Sequence, residues 1–193
     1  MCITHKGTVT LETERLFLRP FNQEDAKYVY KYASDAETVR FLRFHPHESI
    51  ECSEVIVNQW VNNYKNTNFY TWCVVCKSCK EPVGSIAIVD INEYHRQGEL
   101  GYVLRKDHWS NGLMTEACQR VVRFCFEECN FQRVESCYCQ ENIQSERVLE
   151  KSGMQFEGVK REYFPTDHGF TDCNMYAITR SRFEVVYHSS HVC

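Results

Sequence analysis

The sequence predicts a single α/β (α+β) domain built on a mostly antiparallel sheet with one parallel crossover. Three observations carry this reading. Between Phe69 and Arg105, three strand-like segments are joined by short polar turns, the pattern of an antiparallel meander. The third runs through a polar, glycine-bearing loop into a long amphipathic helix, and another strand follows that helix, so the connection reads as a crossover. No Pro-, Gly- or Ser-rich stretch divides the 193 residues, a length that suits one domain with a proper core.

Taken in order, Leu11 to Pro20 reads as a short strand that proline stops, since proline cannot extend a ladder. Asn22-Gln23-Glu24-Asp25 carries helix-start signals, and Ala26, Val29, Tyr30 and Ala33 continue at helical spacing. A second helix lies within Ile50 to Tyr64, where Val55, Ile56, Gln59, Trp60 and Tyr64 share a face. The meander strands are Phe69 to Cys76, Val83 to Ile91 and Glu99 to Arg105, with turns at Lys77 to Pro82 and near Asn92 to Gln97. The long helix has two apolar rows, Leu113/Ala117/Val121/Cys125 and Met114/Cys118/Val122/Phe126, with Asn130 as its stop. A strand at Arg133 to Cys139 follows, then a short helix capped by Asn142 and closed by Gly153. Two strands, Met154 to Tyr163 and Asp172 to Thr179, complete a set of about seven strands and four helices. Residues 1–9 and 184–193 read as flexible tails.

Composition narrows the function classes. Charged residues at 25% and apolar ones at 43% are ordinary for a folded globular chain. A net charge of −4 argues against nucleic-acid and anionic-membrane partners, which need a basic face, and is compatible with small cationic substrates. The charged amino terminus lacks the apolar core of a signal peptide, and no segment approaches the roughly twenty apolar residues of a membrane span. A cytoplasmic location is expected. The twelve cysteines then read as reduced, small apolar fillers, Cys118, Cys125 and Cys129 among them on the apolar side of the long helix. The spacing Cys73, Cys76, Cys79 raises a metal site, but alternation along a strand sends Cys73 and Cys76 to opposite faces and no second ligand pair at knuckle spacing exists. No metal is expected there, nor at His188, His191 and Cys193 in the polar tail.

The segment Gly98 to Ala117 carries the chemistry. A strand that turns at glycine into a helix start leaves backbone N–H groups free to bind phosphate or pyrophosphate. A Walker loop is excluded by the lack of Gly-Lys-Ser/Thr, and a dinucleotide fold by the single glycine and its position past mid-chain.

Four motifs in order resemble the GNAT acetyltransferases: Leu11-Glu12-Thr13-Glu14-Arg15-Leu16-x-Leu18-Arg19, Glu99-Leu100-Gly101-Tyr102, Trp109-x-x-Gly112-x-x-Thr115-Glu116-Ala117, and Asn142-x-x-Ser145-x-Arg147-Val148-Leu149-Glu150-Lys151-x-Gly153-Met154. The match runs from about Thr10 to Arg180 and is nearest the bacterial branch containing the ribosomal-protein alanine N-acetyltransferases. The resemblance implies acetyl-CoA lying between splayed central strands, its pantetheine arm on the backbone of Tyr102, Val103 and Leu104. Its pyrophosphate would meet the amides of Asn111, Gly112, Leu113, Met114 and Thr115. Trp109 and Met114 occupy the first and last positions of the family loop, and Met114 is bulkier than the residue usual there.

The resemblance makes Glu99 the candidate base, against a plain exposed strand glutamate. It makes Ser145 the donor to the departing sulfur, against a hydroxyl bonding nearby backbone. Leu149 stands where many relatives have a tyrosine acid. Asn142 caps its helix and can also touch the pantetheine arm. Arg105, Lys106, Arg147 and Lys151 are phosphate partners or solvated charges, and Tyr163, Asp172 and Tyr176 line the acceptor pocket or serve the core. The implied activity is direct acetyl transfer, in a ternary complex, to a primary amine, first a protein N-terminal α-amino group. The alternatives are a polyamine, an antibiotic or another small amine, and a non-catalytic acyl-CoA-binding module. A homodimer is expected by analogy.

Overall fold

In the computed structural model, which describes residues 2–166 and 169–188, the opening segment folds back on itself. Strands β1 (Leu11–Glu12) and β2 (Leu16–Arg19) pair antiparallel through Leu11 and Leu18. Thr13 closes the turn, its Oγ1 accepting from Leu16 N at 3.0 Å. Threonine competes for backbone donors in this way, and here it splits one expected strand into two. Asn22 N donates to Asp25 Oδ2 at 2.8 Å, starting a 3-10 turn that continues as α1 (Ala26–Ala33). The four-residue α2 (Ala36–Val39) is too short to show periodicity. It begins at Asp35, whose carboxylate accepts from Thr38 N at 2.6 Å. Helix α3 spans Ile50–Asn63.

Strands β3 (Tyr70–Cys76), β4 (Glu81–Asn92) and β5 (Gln97–Leu104) form the expected meander. Pro82 lies inside β4 rather than in the turn before it, opposite a register shift between Val74 and Val75. A bulge is where a residue without an N–H fits a ladder. Helix α4 (Leu113–Arg123) ends in a π turn, Phe124–Glu128, and Asn130 at φ 61° terminates it in the left-handed region. Strand β6 (Arg133–Cys139), α5 (Ile143–Lys151), β7 (Gln155–Thr166), β8 (Gly169–Thr179) and α6 (Arg180–His188) follow.

The eight strands form one sheet in the order β1-β2-β3-β4-β5-β6-β8-β7, parallel only between β5 and β6. Among the described residues the count exceeds the expected seven because the opening strand is divided, and six helices replace four because α2 and α6 appear. The residues read as an amino-terminal tail are tied down: Thr4 N donates to Cys129 O at 2.8 Å and Trp72 Nε1 to Val9 O at 2.7 Å. The expected tail from residue 184 is, as far as His188, the second half of α6, where Phe183 stacks on Phe126 and His188 lies edge-on to Phe183. His191 and Cys193 lie outside the described residues.

Alternation along β3 divides the core in two. Trp72, Val74 and Cys76 face α4, packing with Leu113, Ala117, Val121 and Phe183. Cys73 faces the other way and joins Val103 beneath Val29 and Tyr32 of α1 and Val57 of α3. Cys73 and Cys76 thus fall on opposite faces, and Cys118, Cys125 and Cys129 are buried fillers, both as expected.

Candidate active site

Strands β5 and β6 pair for only three rungs, Gln97 with Arg133, Gly98 with Val134, and Glu99 with Glu135, and then part. Ser136 marks the fork, its buried Oγ donating to Leu100 O at 2.8 Å. Beyond it, the edge of β5 that faced β6 borders a cleft of about 260 Å³, while its other edge stays paired with β4. The sequence-derived positions Tyr102, Val103, Leu104, Trp109, Gly112, Leu113, Met114, Thr115, Asn142, Ser145 and Arg147 all line this cleft. Asn111 does not: its carbonyl accepts from Arg15 Nη1 at 2.8 Å, and it borders a separate depression.

Gly112, at φ 74°, turns the chain into α4 with a left-handed residue that glycine alone adopts freely. The N–H groups of Leu113, Met114 and Thr115 in the first turn have no acceptor among the described residues, the state of a helix start that binds an anion. Trp109 Nε1 donates to Leu104 O at 2.6 Å, tying the loop to the end of β5. The extra bulk of Met114 goes into the core, where its side chain is buried beside Ala117 and Cys118.

Of the four candidate cations, Arg105 is taken by Asp107 and Glu81, and Lys106 by Glu37. Arg147 and Lys151 border the cleft and have no ion pair among the described residues. Sequence reasoning missed the wall formed by Thr38, Phe41 and Leu42, which comes from α2 and the irregular stretch after it. The adjacent apolar pair Phe41-Leu42 was its one signal.

Ser145 N donates to Asn142 Oδ1 at 3.2 Å, the expected cap. Its hydroxyl bonds no local backbone; it lies 2.6 Å from the hydroxyl of Tyr102, reaching over from β5. Burial pushes the Tyr102 phenol far above its ordinary range, so it stays protonated. Leu149, which the sequence resemblance sets where many relatives have a tyrosine, is fully buried.

Glu99 sits at the fork itself, 8% exposed, and is not a plain surface glutamate. Its Oε1 accepts from Arg43 Nη2 at 2.5 Å and from Cys137 Sγ at 3.8 Å, while Arg43 Nη1 lies 3.7 Å from Asp90. Burial raises the Glu99 pKa above the usual carboxylate range, and the Arg43 charge opposes that rise. Burial and the Glu99 charge push the Cys137 thiol up to about 11, which keeps it a neutral donor. Tyr163 joins this cluster beneath the charges of Arg43 and Lys160. Asp172 does not, since its carboxylate reaches across from β8 to the irregular stretch of β7 and accepts from Glu162 N at 2.9 Å. Tyr176 packs on Tyr138 and Phe156 and donates to Glu146 at 3.2 Å. Arg43 lies in an irregular segment without periodicity, so no sequence pattern marks it.

Residues 15–155 match the model of the acetyltransferase (GNAT) domain family. The chain is a GNAT N-acetyltransferase. It is 31% identical over 172 residues to an uncharacterized N-acetyltransferase, YoaA, of Bacillus subtilis, covering 89% of this chain and 97% of that protein. It is 25% identical over 149 residues to the spermidine N(1)-acetyltransferase of Escherichia coli, covering 76% and 77% of the two chains. The crystal structure of a GNAT-family acetyltransferase from Bacillus anthracis superposes with a TM-score of 0.80 at 26% identity, covering 90% of this chain and 99% of that one. GNAT enzymes take acetyl-CoA as cosubstrate and an amine as acceptor. No helix among the described residues is long and apolar enough to cross a membrane.

Proposed function

We propose that this enzyme transfers the acetyl group of acetyl-CoA directly to a primary amine in a ternary complex, first a protein N-terminal α-amino group. The coenzyme would lie in the fork between β5 and β6, with the amine arriving at Glu99. The observation that carries the reading is the loss of pairing after Glu99 and Glu135, which aligns an open strand edge, an anion-binding helix start and a buried carboxylate.

In this arrangement the pantetheine amides bond the main chain of Tyr102 to Leu104. The amides of Leu113, Met114 and Thr115 hold the pyrophosphate, with Arg147 and Lys151 adding charge. Attack on the thioester requires a neutral amine. Glu99, whose charged form Arg43 favours, accepts the amine proton directly or through one water. As the carbon–sulfur bond breaks, Ser145 Oγ–H donates to the departing thiolate while Tyr102 donates to Ser145 Oγ. The Tyr102–Ser145 pair thereby takes the part of the tyrosine that Leu149 replaces.

Around Glu99, the carboxylates of Asp90 and Glu135 are met by Arg43 and Lys160, and by Arg133, which Glu135 shares with Glu157. A polycation calls for surplus negative charge at its site, and an acceptor with a single amine does not. An α-amino group, with a reference pKa near 8 against about 10.4 for lysine, also asks less of its base.

The test is release of free coenzyme A from acetyl-CoA with peptides bearing free N-termini, spermidine and an aminoglycoside. Turnover with peptides is expected, and Glu99→Gln should lower kcat by ~100-fold or more with acetyl-CoA binding retained. Turnover with spermidine alone would assign the polyamine reading. Saturable acetyl-CoA binding with no release on any amine would make the chain a binding module.

A further inference from the structure

The turn between β3 and β4 gathers groups that acetyl transfer leaves unused. Strand β3 ends at Cys76, and Lys80, at φ 59°, donates its N–H back to Cys76 O at 2.8 Å. Because Cys79 lies in this turn and not on the strand, it folds back towards Cys76. The alternation that separates Cys73 from Cys76 does not apply to it. Across from the pair, the 3-10 turn after β5 presents His108, whose Nε2 is 3.9 Å from Cys79 Sγ. The three ligand atoms all lie within 4.8 Å of one another.

The imidazole is oriented for coordination. His108 Nδ1 lies 2.8 Å from Asp107 Oδ1, and a carboxylate offers only acceptors, so Nδ1 carries the proton and Nε2 turns its lone pair to the sulfurs. Arg105 Nε fixes the same carboxylate oxygen at 2.7 Å. A carboxylate behind a histidine is the supporting arrangement of metal-ligating imidazoles. Tetrahedral coordination with metal–sulfur bonds of about 2.3 Å and metal–nitrogen bonds of about 2.1 Å sets the ligand atoms roughly 3.6–3.8 Å apart. A small inward shift of the exposed Cys79 thiol meets that requirement. Beside the cluster, a depression of about 610 Å³ bordered by Cys76, Ser78 and His108 leaves room for water at a fourth position.

We propose that Cys76, Cys79 and His108 bind a thiophilic divalent cation, zinc foremost, linking the β3–β4 turn to the loop that leads into α4. Two thiolates and a neutral imidazole select zinc over magnesium or calcium, which prefer oxygen. Binding breaks two S–H bonds and forms two sulfur–metal bonds and one nitrogen–metal bond. Two protons pass to solvent and nothing is oxidised. The site stands apart from the acetyl-transfer reading, although His108 directly precedes Trp109 and a bound ion would brace that loop.

The test is titration of the reduced full-length chain with cobalt(II), with the exposed Cys2 and Cys52 changed to serine to remove competing thiols. Saturation at one equivalent is expected, with a thiolate-to-cobalt charge-transfer band, tetrahedral visible bands, and displacement of both by zinc. Asp107→Asn should weaken binding roughly 10- to 100-fold, and Cys79→Ser and His108→Ala at least as much, in proteins whose circular dichroism is unchanged. The proposal fails if no charge-transfer band develops, if these variants titrate like the parent, or if Cys76 and Cys79 reoxidise to a disulfide in the presence of excess zinc.

Discussion

Two opposing influences act on Glu99: burial lifts its pKa and Arg43 holds the rise in check. As the proposed base, Glu99 would work deprotonated, so activity should rise with pH through its pKa, which is raised from the ordinary carboxylate value. Arg43→Gln removes the restraint and should move that limb of the kcat/KM profile to higher pH by about one unit or more. A pH–rate profile checks this; an unmoved limb would assign it to another group. The same shift has a stability consequence. A carboxyl whose folded pKa exceeds its unfolded one costs nothing below the unfolded pKa, and its cost grows as pH rises through the folded pKa. Glu99→Gln should therefore melt no lower than the parent at neutral pH despite its lost turnover, as thermal denaturation would record. Glu99 and Ser145 were legible as candidates because each lies in a spaced motif. Their partners were not. Arg43 lies in an irregular segment, and the pairing of Tyr102 with Ser145 joins residues on different elements, which no local pattern encodes.

At the scale of elements, β4 lies close against the end of β5 that borders the cleft. A Cβ on Gly84 would lie 2.2 Å from Val103 O, so Gly84→Ala must displace the end of β5. A loss of about 1–3 kcal/mol is expected in denaturant melts. Because Val103 borders the cleft, KM for acetyl-CoA should rise more than kcat falls. The meander, α4 and α5 were readable because their periods persist over several residues and glycine or asparagine punctuates them, as Asn130 and Gly153 do at φ 61° and 83°. The elements that escaped reading lack such persistence. Helix α2 is a single turn, and the π turn at Phe124 changes the period within one apolar row. Pro82 is admitted to its strand by a bulge in that same strand, which leaves Val83 without a partner in β3.

Across the whole molecule, the sheet separates a core under α4 from one under α1 and α3, and cysteines fill both. Burial raises the thiol pKa of Cys73, Cys118 and Cys125 far beyond neutral pH and that of Cys129 to about 11. The thiolate is the reactive form, so alkylation of the native chain should reach the exposed Cys2, Cys52 and Cys79 and spare these four until the protein unfolds. Mass spectrometry of the labelled peptides measures it; early labelling of Cys118 or Cys125 would mean that the core opens on its own. The single parallel crossover was legible from the order of strand, loop, helix and strand. The fork was not derivable from that order, because where two parallel strands stop pairing depends on the fit of the residues around Ser136 and Leu100.

A sheet that separates after three rungs carries a raw edge at its own centre. Raw edges invite foreign strands, and most proteins blunt theirs. Here the slot would suit one extended, amide-bearing arm, so the thioester pool of the cell would act on this chain as a chaperone as well as a reagent. By mass action, abundant coenzyme would favour the sealed form, and scarcity would leave newly made copies exposed to misjoining with one another.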